Sequence, residues 1–225
     1  MVGTIIVGGG KSNRFGEDKI SYIINDKPLI YYTIIPFIKS NLVDEIVIVL
    51  SKENYQKNKI FFENLKKIKD IIIGGDERKN SVINGLERFL NSEIDKVLIH
   101  DGARPIIKTE IINEIINKIT DNNCIIPVIN VSETIKFIKD KKIETLNRDL
   151  LYITQTPQGF PFPKIYHLYK KYENKKLFDD SMVFEFEGEN IELIEGDPSN
   201  IKITYNNDMI KVINFIKENE DRYRI

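Results

Sequence analysis

The sequence has very few of the residues that cross-link a chain or ligate metals. It contains one cysteine and two histidines among 225 residues. A single cysteine excludes a disulfide within the chain and a cysteine-based zinc site, and two histidines do not favour a histidine-rich metal cluster. A chain of this length buries roughly 70% of the surface that its unfolded form exposes, so a core can form without such cross-links.

Long apolar runs and an excess of one charge are also missing. No apolar run approaches the roughly 20 residues needed to cross a bilayer, and the first residues, MVGTIIVGGG, lack the basic region of a signal peptide. The 33 Lys and Arg residues nearly balance the 34 Asp and Glu residues, which does not favour nucleic-acid binding. We therefore expect a cytoplasmic, soluble protein without a membrane or nucleic-acid partner.

Short apolar runs alternate with amphipathic segments along the chain, which predicts an α/β domain over residues 1–225 with a parallel sheet covered on both faces. The predicted strands are Thr4–Val7, Glu45–Leu50, Asp70–Ile73, Lys96–Ile99 and Cys124–Val128. The predicted helices are Pro28–Ser40, Ser51–Lys67, Asn80–Leu90, Thr109–Ile119 and Asp208–Lys217.

Residues 132–152 break this pattern. Their sequence, SETIKFIKDKKIETLNRDLLY, alternates polar and apolar residues around a charged turn. It predicts a hairpin over about residues 131–152 that projects from the sheet. Because two strands cannot bury both of their faces alone, a second subunit is the simplest partner, and we expect a homodimer.

A glycine-rich loop follows the first predicted strand. Its three consecutive glycines let several backbone N–H groups point into one concavity, and Arg14 and Lys19 add cationic donors, a combination that suits a polyphosphate. The P-loop pattern fails because its first glycine is Ile5 here, and the dinucleotide-binding pattern fails at Asn13. An ordinary strand-to-helix turn is the alternative.

A second glycine-containing loop, GGDERKNS at residues 74–81, follows the third predicted strand. The carboxyl ends of strands are where open α/β sheets bind ligands. Gly75 can bring backbone groups close to a nucleotide base, and Asp76 and Ser81 can hydrogen-bond its polar edge. A turn followed by a helix cap explains the same residues equally well.

The fourth predicted strand leads into HDGARP, residues 100–105. Asp101 at a strand end suits a cation or a ribose hydroxyl, although Arg104 can equally be just its ion-pair partner. We expect His100 to be a packed, hydrogen-bonded side chain rather than a base.

Two later segments carry further polar residues. Asn200–Thr204 alternates like an edge strand, with Lys202 and Thr204 on one face. Asp179 and Asp180 precede a helical stretch, where acidic residues favour a helix N-terminus.

Together and in this order, the motifs GGDERxxSV, HDxARP, TPQxF and NIKxT resemble those of the 2-C-methyl-D-erythritol 4-phosphate cytidylyltransferase family, over nearly the whole chain. The resemblance implies a three-layer α/β/α, Rossmann-like fold with a mixed, mostly parallel sheet and a projecting β-arm that forms a homodimer. It also implies transfer of CMP from CTP to 2-C-methyl-D-erythritol 4-phosphate, with release of pyrophosphate and with Mg²⁺ as the cofactor.

The resemblance gives individual residues their expected roles. The residues that match nucleotide-binding positions are Gly8, Gly9, Gly10, Gly75, Asp76, Ser81, Asp101 and Gly102, and Asp101 also matches the metal ligand. The residues that match catalytic cations are Arg14, Lys19 and Lys202. The residues that match sugar-phosphate positions are Arg104, Thr134, Arg148 and Thr156, of which the two arm residues reach into the partner's pocket.

The sequence departs from the family pattern in three places. Gly8 and Gly9 stand where the family usually has two alanines, Asp18 precedes Lys19 in a loop about two residues short, and Phe178 replaces a small polar residue found in some members. A ribitol-5-phosphate cytidylyltransferase and a non-catalytic nucleotide-binding module remain alternatives.

Overall fold

The computed structural model describes residues 1–9 and 18–225; Gly10 and Arg14 of the glycine-rich loop lie outside the described residues. The strands are β1 (Val2–Gly8), β2 (Ile23–Ile24), β3 (Lys27–Pro28), β4 (Glu45–Leu50), β5 (Ile68–Ile73), β6 (Lys96–Asp101), β7 (Asn123–Asn130), β8 (Lys136–Lys139), β9 (Lys142–Thr145), β10 (Tyr152–Thr154), β11 (Gln158–Pro161) and β12 (Asn190–Glu195). The helices are α1 (Leu29–Lys39), α2 (Lys52–Asn58), α3 (Arg78–Glu87), α4 (Thr109–Lys118), α5 (Phe162–Lys171), α6 (Met182–Glu185) and α7 (Asn206–Glu218).

One mixed, mostly parallel sheet runs through the protein in the order β10-β7-β11-β6-β1-β4-β5, and β12 also pairs with β7. The pairs β1–β4, β1–β6, β4–β5 and β7–β12 are parallel, whereas β10 and β11 run antiparallel to their neighbours. After β1 the chain adds β4 and β5 on one side of β1 and then β6 on the other side. The strand order therefore reverses between β1 and β6. Ligands of open α/β sheets bind at such a reversal, outside the carboxyl ends of the strands.

Helices cover both faces of this sheet, because successive strand residues point to opposite sides. Ile6 of β1 packs in the layer formed with α1, α4 and α7, while Ile5 and Val7 pack in the layer with α3, α5 and α6. The central strands β1, β4 and β6 are buried on both faces, which explains their continuously apolar sequences. The α/β fold predicted from the sequence is confirmed.

The five strands predicted from apolar runs are all present, and one predicted helix is shorter in the structure. Helix α2 begins after Ser51, whose Oγ accepts the Asn54 N–H at 3.2 Å, but ends at Asn58. A 3₁₀ turn follows, and Lys67 at φ 67° turns the chain into β5. The predicted helix over Ser51–Lys67 is therefore too long.

The prediction of an edge strand over Asn200–Thr204 is wrong. Its side chains alternate in burial, with Ile203 buried and Lys202 exposed, but the backbone forms no ladder. Instead, the Ile203 N–H donates to the carbonyl of Ala103 at 2.9 Å, which holds the segment as a loop beside the end of β6.

Strand β11 was not expected from the sequence. It inserts antiparallel between β6 and β7 although it has only four residues, including Gly159 and Pro161. A Cβ at Gly159 would overlap the side chain of Ile115 on α4, so the glycine allows that helix to pack closely. Tertiary packing therefore forms this strand against its weak intrinsic preference.

The predicted arm is a hairpin, β8–β9, closed by Asp140 and Lys141 at φ 49° and 63°. Positive φ at both turn residues is typical of the two-residue turns that match strand twist. Within residues 1–9 and 18–225, no helix has the length and apolar character required to cross a membrane.

Candidate active site

Three loops meet at the carboxyl ends of β1, β5 and β6. A Cβ at Gly9 would lie 3.2 Å from Oγ of Ser81, and a Cβ at Gly74 would overlap the same hydroxyl. A Cβ at Gly102 would lie 3.2 Å from Cα of Gly8. These glycines thus let the three loops touch, and they bring several of the predicted nucleotide-binding residues to one edge.

The predicted base-binding residues lie at the start of α3. Gly75 packs directly on Asn80, and the Oγ of Ser81 donates to the carbonyl of Glu77 at 3.3 Å. The side chain of Asp76 is exposed. The contacts of Gly75, Asp76 and Ser81 with a base stay predictions.

Asp101 at the end of β6 is a buried carboxylate surrounded by cations. Its Oδ1 accepts from Nε of Arg78 at 3.1 Å, and its Oδ2 lies 2.8 Å from Nζ of Lys202 and 3.4 Å from Nε of Arg104. Burial by itself would raise the pKa of the Asp101 carboxyl, but these three positive charges outweigh it and hold the pKa well below its ordinary value. Asp101 is therefore ionised throughout the neutral range.

Arg78 connects this carboxylate with a second one. Its Nη1 and Nη2 donate to Oδ1 and Oδ2 of Asp180, both at 2.7 Å. Burial disfavours the charged guanidinium, yet the two carboxylates outweigh this effect and raise the pKa of Arg78 above its ordinary value. The fork geometry of arginine suits such bidentate pairing.

Backbone carbonyl groups of the loop at residues 200–204 accept hydrogen bonds from two cationic side chains near the end of β6. Nη1 of Arg104 donates to the carbonyl of Asn200 at 2.8 Å, and Nζ of Lys19 donates to the carbonyl of Ile203 at 2.9 Å. Lys202 lies on this loop and reaches Asp101. The fold thus gathers three of the predicted cations, Lys19, Arg104 and Lys202, around one end of β6.

Thr156 and His100 support the backbone behind Asp101. The Asp101 N–H donates to Oγ of Thr156 at 3.1 Å, and the same hydroxyl lies 2.9 Å from Nδ1 of His100. Nε2 of His100 lies 3.0 Å from the carbonyl of Arg104, which only accepts, so Nε2 carries the proton. Burial lowers the pKa of His100 to about 4. As predicted, His100 is packed and hydrogen-bonded.

The two predicted arm residues lie apart from this cluster. Thr134 and Arg148 are both exposed, and Nη1 of Arg148 donates to the carbonyl of Ser132 at 2.7 Å. Arg148 lines a cavity of about 490 Å³ at the base of the arm. Across the described ranges 1–9 and 18–225, no hydrogen bond or ion pair joins either residue to Asp101.

A sequence model of the 2-C-methyl-D-erythritol 4-phosphate cytidylyltransferase family matches residues 2–218. The chain belongs to this family. A relative of that name from Clostridium botulinum is 40% identical over 218 residues, which cover 93% of this chain and 96% of the relative. Another, from Dictyoglomus thermophilum, is 38% identical and covers 96% of both chains. The solved structure of 4-diphosphocytidyl-2C-methyl-D-erythritol synthase from Anaerococcus prevotii has a TM-score of 0.83, 30% identity and 96% coverage of both chains.

Sequence reasoning had assigned no role to Arg78 and had placed Asp180 at a helix N-terminus. Both belong to the charged cluster of this cytidylyltransferase-family chain, which also contains Asp101, Arg104 and Lys202, and Asp180 is fully buried. Arg78 stands inside the motif GGDERxxSV, so the motif gave a signal for it. No local pattern predicts its pairing with Asp180, since 102 positions separate the two residues.

Proposed function

We propose that this protein is a cytidylyltransferase that transfers CMP from CTP to 2-C-methyl-D-erythritol 4-phosphate. The products are 4-diphosphocytidyl-2-C-methyl-D-erythritol and pyrophosphate, in the non-mevalonate isoprenoid pathway. Membership of the family supports this activity. The structural observation that carries the proposal is the buried carboxylate of Asp101, held with Lys202, Arg104 and Arg78 where the strand order reverses.

The reaction needs no general base from the protein. The nucleophile is a phosphate monoester oxygen, and since the second pKa of such a group is near 6, it is largely dianionic at neutral pH. His100 is unsuited to this task, because both of its ring nitrogens are engaged and its pKa is lowered to about 4 by burial. The difficulty is electrostatic, since a dianion must approach a polyanion in line with the leaving pyrophosphate.

Fixed cations offset this repulsion. Arg14 and Lys19 neutralise the triphosphate, and Lys202 neutralises the incoming phosphate and the charge that develops on the pentacoordinate phosphorus. With its side chain 41% exposed, Lys202 is the most accessible of the three cations on Asp101, so a ligand can approach it while Asp101 holds it. Arg104 and Thr156, which are more deeply held, position the sugar phosphate.

Backbone groups bind the nucleotide in this proposal. The amides of Gly8 and Gly9 face the phosphates, as those of glycine-rich loops do, and Gly10 is the third glycine assigned to the nucleotide. Gly75, Asp76 and Ser81 contact the cytosine. Asp101 and Gly102 contact the ribose.

Mg²⁺ is the cofactor that we propose, with Asp101 as its protein ligand. Within the described part of the chain no three His, Cys, Asp or Glu side chains come together as a metal site. A single carboxylate nevertheless fits this ion, because Mg²⁺ usually binds one or two carboxylates together with substrate phosphates. Asp101 contacts Arg78, Arg104 and Lys202, and a carboxylate has about four acceptor sites, so one site would remain for the ion. The ion supplies charge neutralisation on the phosphates when bound.

We propose a homodimer in the cytoplasm as the working form. The arm supports the dimer. Two strands cannot bury their own apolar side chains, and a partner arm can cover them. Large apolar side chains of the arm are exposed at Phe137, Ile138, Ile143, Leu150 and Tyr152. In the dimer, Thr134 and Arg148 reach the substrate phosphate bound by the other subunit.

A pyrophosphate-release assay tests the proposed activity. Purified protein is given CTP and Mg²⁺ with either 2-C-methyl-D-erythritol 4-phosphate or ribitol 5-phosphate, and the cytidine diphosphate product is identified by mass. We expect release only with the methylerythritol substrate. Release only with ribitol 5-phosphate would establish the alternative cytidylyltransferase, and CTP binding without any release would establish a non-catalytic module.

A further inference from the structure

Asp180 is the second buried carboxylate of the charged cluster, and the proposed reaction leaves it without a task. Its side chain has no exposed surface, and both of its oxygens accept from the guanidinium of Arg78. A buried charge is retained at a large desolvation cost unless it is paired and hydrogen-bonded. The full pairing of Asp180 therefore indicates a specific arrangement rather than a solvated helix terminus.

The surroundings of Asp180 fix its orientation. The hydroxyl of Tyr169 on α5 donates to Oδ1 of Asp180. The backbone N–H groups of Asp180 and Ser181 both donate to Oε1 of Gln158 on β11, at 3.1 Å each. Nε2 of Gln158 in turn donates to Oδ2 of Asp179 at 3.0 Å. Helix α5 and the sheet together hold this carboxylate in one place.

Because both terminal nitrogens of Arg78 are bound to Asp180, the direction of its Nε–H is fixed as well. That N–H donates to Oδ1 of Asp101 at 3.1 Å, so the plane of the Asp101 carboxylate is set. Oδ2 is then left to face Lys202 and Arg104. Asp180 also neutralises Arg78, one of the three cations around Asp101. Because Arg78 then repels Lys202 less, the attraction between Asp101 and Lys202 is less opposed.

We propose that Asp180 is a positioning residue for cytidylyl transfer, which acts through Arg78 to orient Asp101 and thereby Lys202. This inference rests on the proposed function of the same site. Asp180 itself touches neither substrate, and its effect is transmitted by one guanidinium. A small displacement of Lys202 is sufficient for a large loss, since a misplacement of about 1 Å can lower a rate by roughly a hundredfold.

The first test removes the negative charge of Asp180 and keeps the shape of its side chain. Asp180→Asn should lower kcat by at least about tenfold while KM for CTP changes by less than about threefold, because the change affects an interaction made in the transition state. Asp70→Asn is the matched control, since Asp70 pairs with Arg88 at the opposite end of α3 on the surface. It should leave kcat within about twofold of wild type.

A double-mutant cycle separates positioning from general support of the fold. If Asp180 acts only through Arg78, then Arg78→Ala and the double variant Arg78→Ala/Asp180→Asn should have the same kcat within about twofold. The double variant should also melt at a higher temperature than Arg78→Ala, because it no longer buries an unpaired carboxylate. An additive loss of kcat in the cycle would overturn the inference.

Tyr169→Phe covers the case in which Asp180→Asn does not fold. It removes one hydrogen bond to Asp180 and retains both charges. We expect kcat to fall by about threefold or more with KM for CTP unchanged. If the wild type is active and a folded Asp180→Asn or Tyr169→Phe variant is equally active, the positioning role is overturned and the proposed function stands. Wild type that releases no pyrophosphate from CTP with either polyol phosphate overturns the proposed function first and this inference with it.

Discussion

The charged cluster around Asp101 and the arm over residues 131–152 differ in whether their side chains find partners within the same chain. In the cluster, Arg78, Arg104 and Lys202 all find their counter-charge on Asp101 within the same chain. On the arm, Ile138 and Ile143 are 66% and 68% exposed, so most of their apolar surface faces water.

One chain therefore completes the ion pairs of the charged cluster, whereas the apolar side chains of the arm stay exposed. The carboxylates of the cluster are buried, and removing the partner of a buried charge is costly. The arm is a folded hairpin whose apolar side chains no other element among residues 1–9 and 18–225 covers, and the proposed second subunit would bury them. Changes in the cluster should therefore act on stability and turnover, while changes in the arm should act on substrate affinity and assembly.

The largest effect is expected at Asp101. Asp101→Asn leaves Arg104 and Lys202 without their counter-charge and leaves Arg78 paired with Asp180 alone. It should lower the free energy of unfolding by about 3–5 kcal/mol. Its depressed pKa adds stability that is present above the unfolded pKa of about 3.9 and is lost as the pH falls below it. Urea unfolding at pH 7 and pH 3 measures both effects. Glu192→Gln, which breaks a surface pair with Lys118, is the control and should cost less than about 1 kcal/mol.

The second-largest effect is expected in the pH dependence of the free energy of unfolding, and it comes from a side chain beside the charged cluster. His100 has its pKa lowered from 6.5 to about 4 by burial, so the unfolded chain binds more protons than the folded one between these values. The free energy of unfolding should fall by about 1.4 kcal/mol per pH unit as the pH drops through this window, about 3 kcal/mol in all. His100→Gln should remove this slope in urea titrations from pH 7 to pH 4. An identical slope in wild type and His100→Gln would contradict the assignment, and His167→Gln on the surface of α5 should behave as wild type.

Changes at the proposed catalytic cations should affect turnover more than folding, because Lys202 is the most exposed partner of Asp101. Lys202→Ala and Lys19→Ala should each lower kcat at least about tenfold, since a single donor of this kind contributes on the order of 3 kcal/mol to the barrier. Lys211→Ala, an exposed change on α7, is the matched control. Steady-state pyrophosphate release measures kcat, and thermal unfolding verifies the fold. Unchanged turnover in both variants would show that the charges assigned to the phosphates lie elsewhere.

The smallest effect should come from the arm. Arg148→Ala should raise KM for the sugar phosphate about fivefold, close to 1 kcal/mol of binding, with kcat nearly unchanged, because it removes a contact made equally in the ground and transition states. Lys136→Ala, which breaks only a contact with Thr145 inside the hairpin, should not change KM. Equal KM values for all three proteins would mean that the arm does not contact the substrate.

Local patterns made much of the molecule predictable. Continuous apolar runs such as Glu45–Leu50 gave the strands, because strands buried on both faces need apolar residues at every position. The motif order indicated the family correctly, and the position of Lys202 near the phosphates stays a prediction from the same motifs. The strand at Gln158–Pro161 was not predictable, since its four residues acquire strand structure only from the neighbours on either side.

The sequence by itself determined the alternation of strands and helices, the glycine loops at strand ends and the hairpin of the arm. These depend on side-chain periodicity and turn preferences, which act over a few residues. Only the tertiary structure decided that Asp180 pairs with Arg78 and that Asp101 receives three cations, among them Lys202 from the opposite end of the chain. Electrostatic pairing depends on distances through space in a medium of low polarity, and those distances exist only after the sheet has assembled.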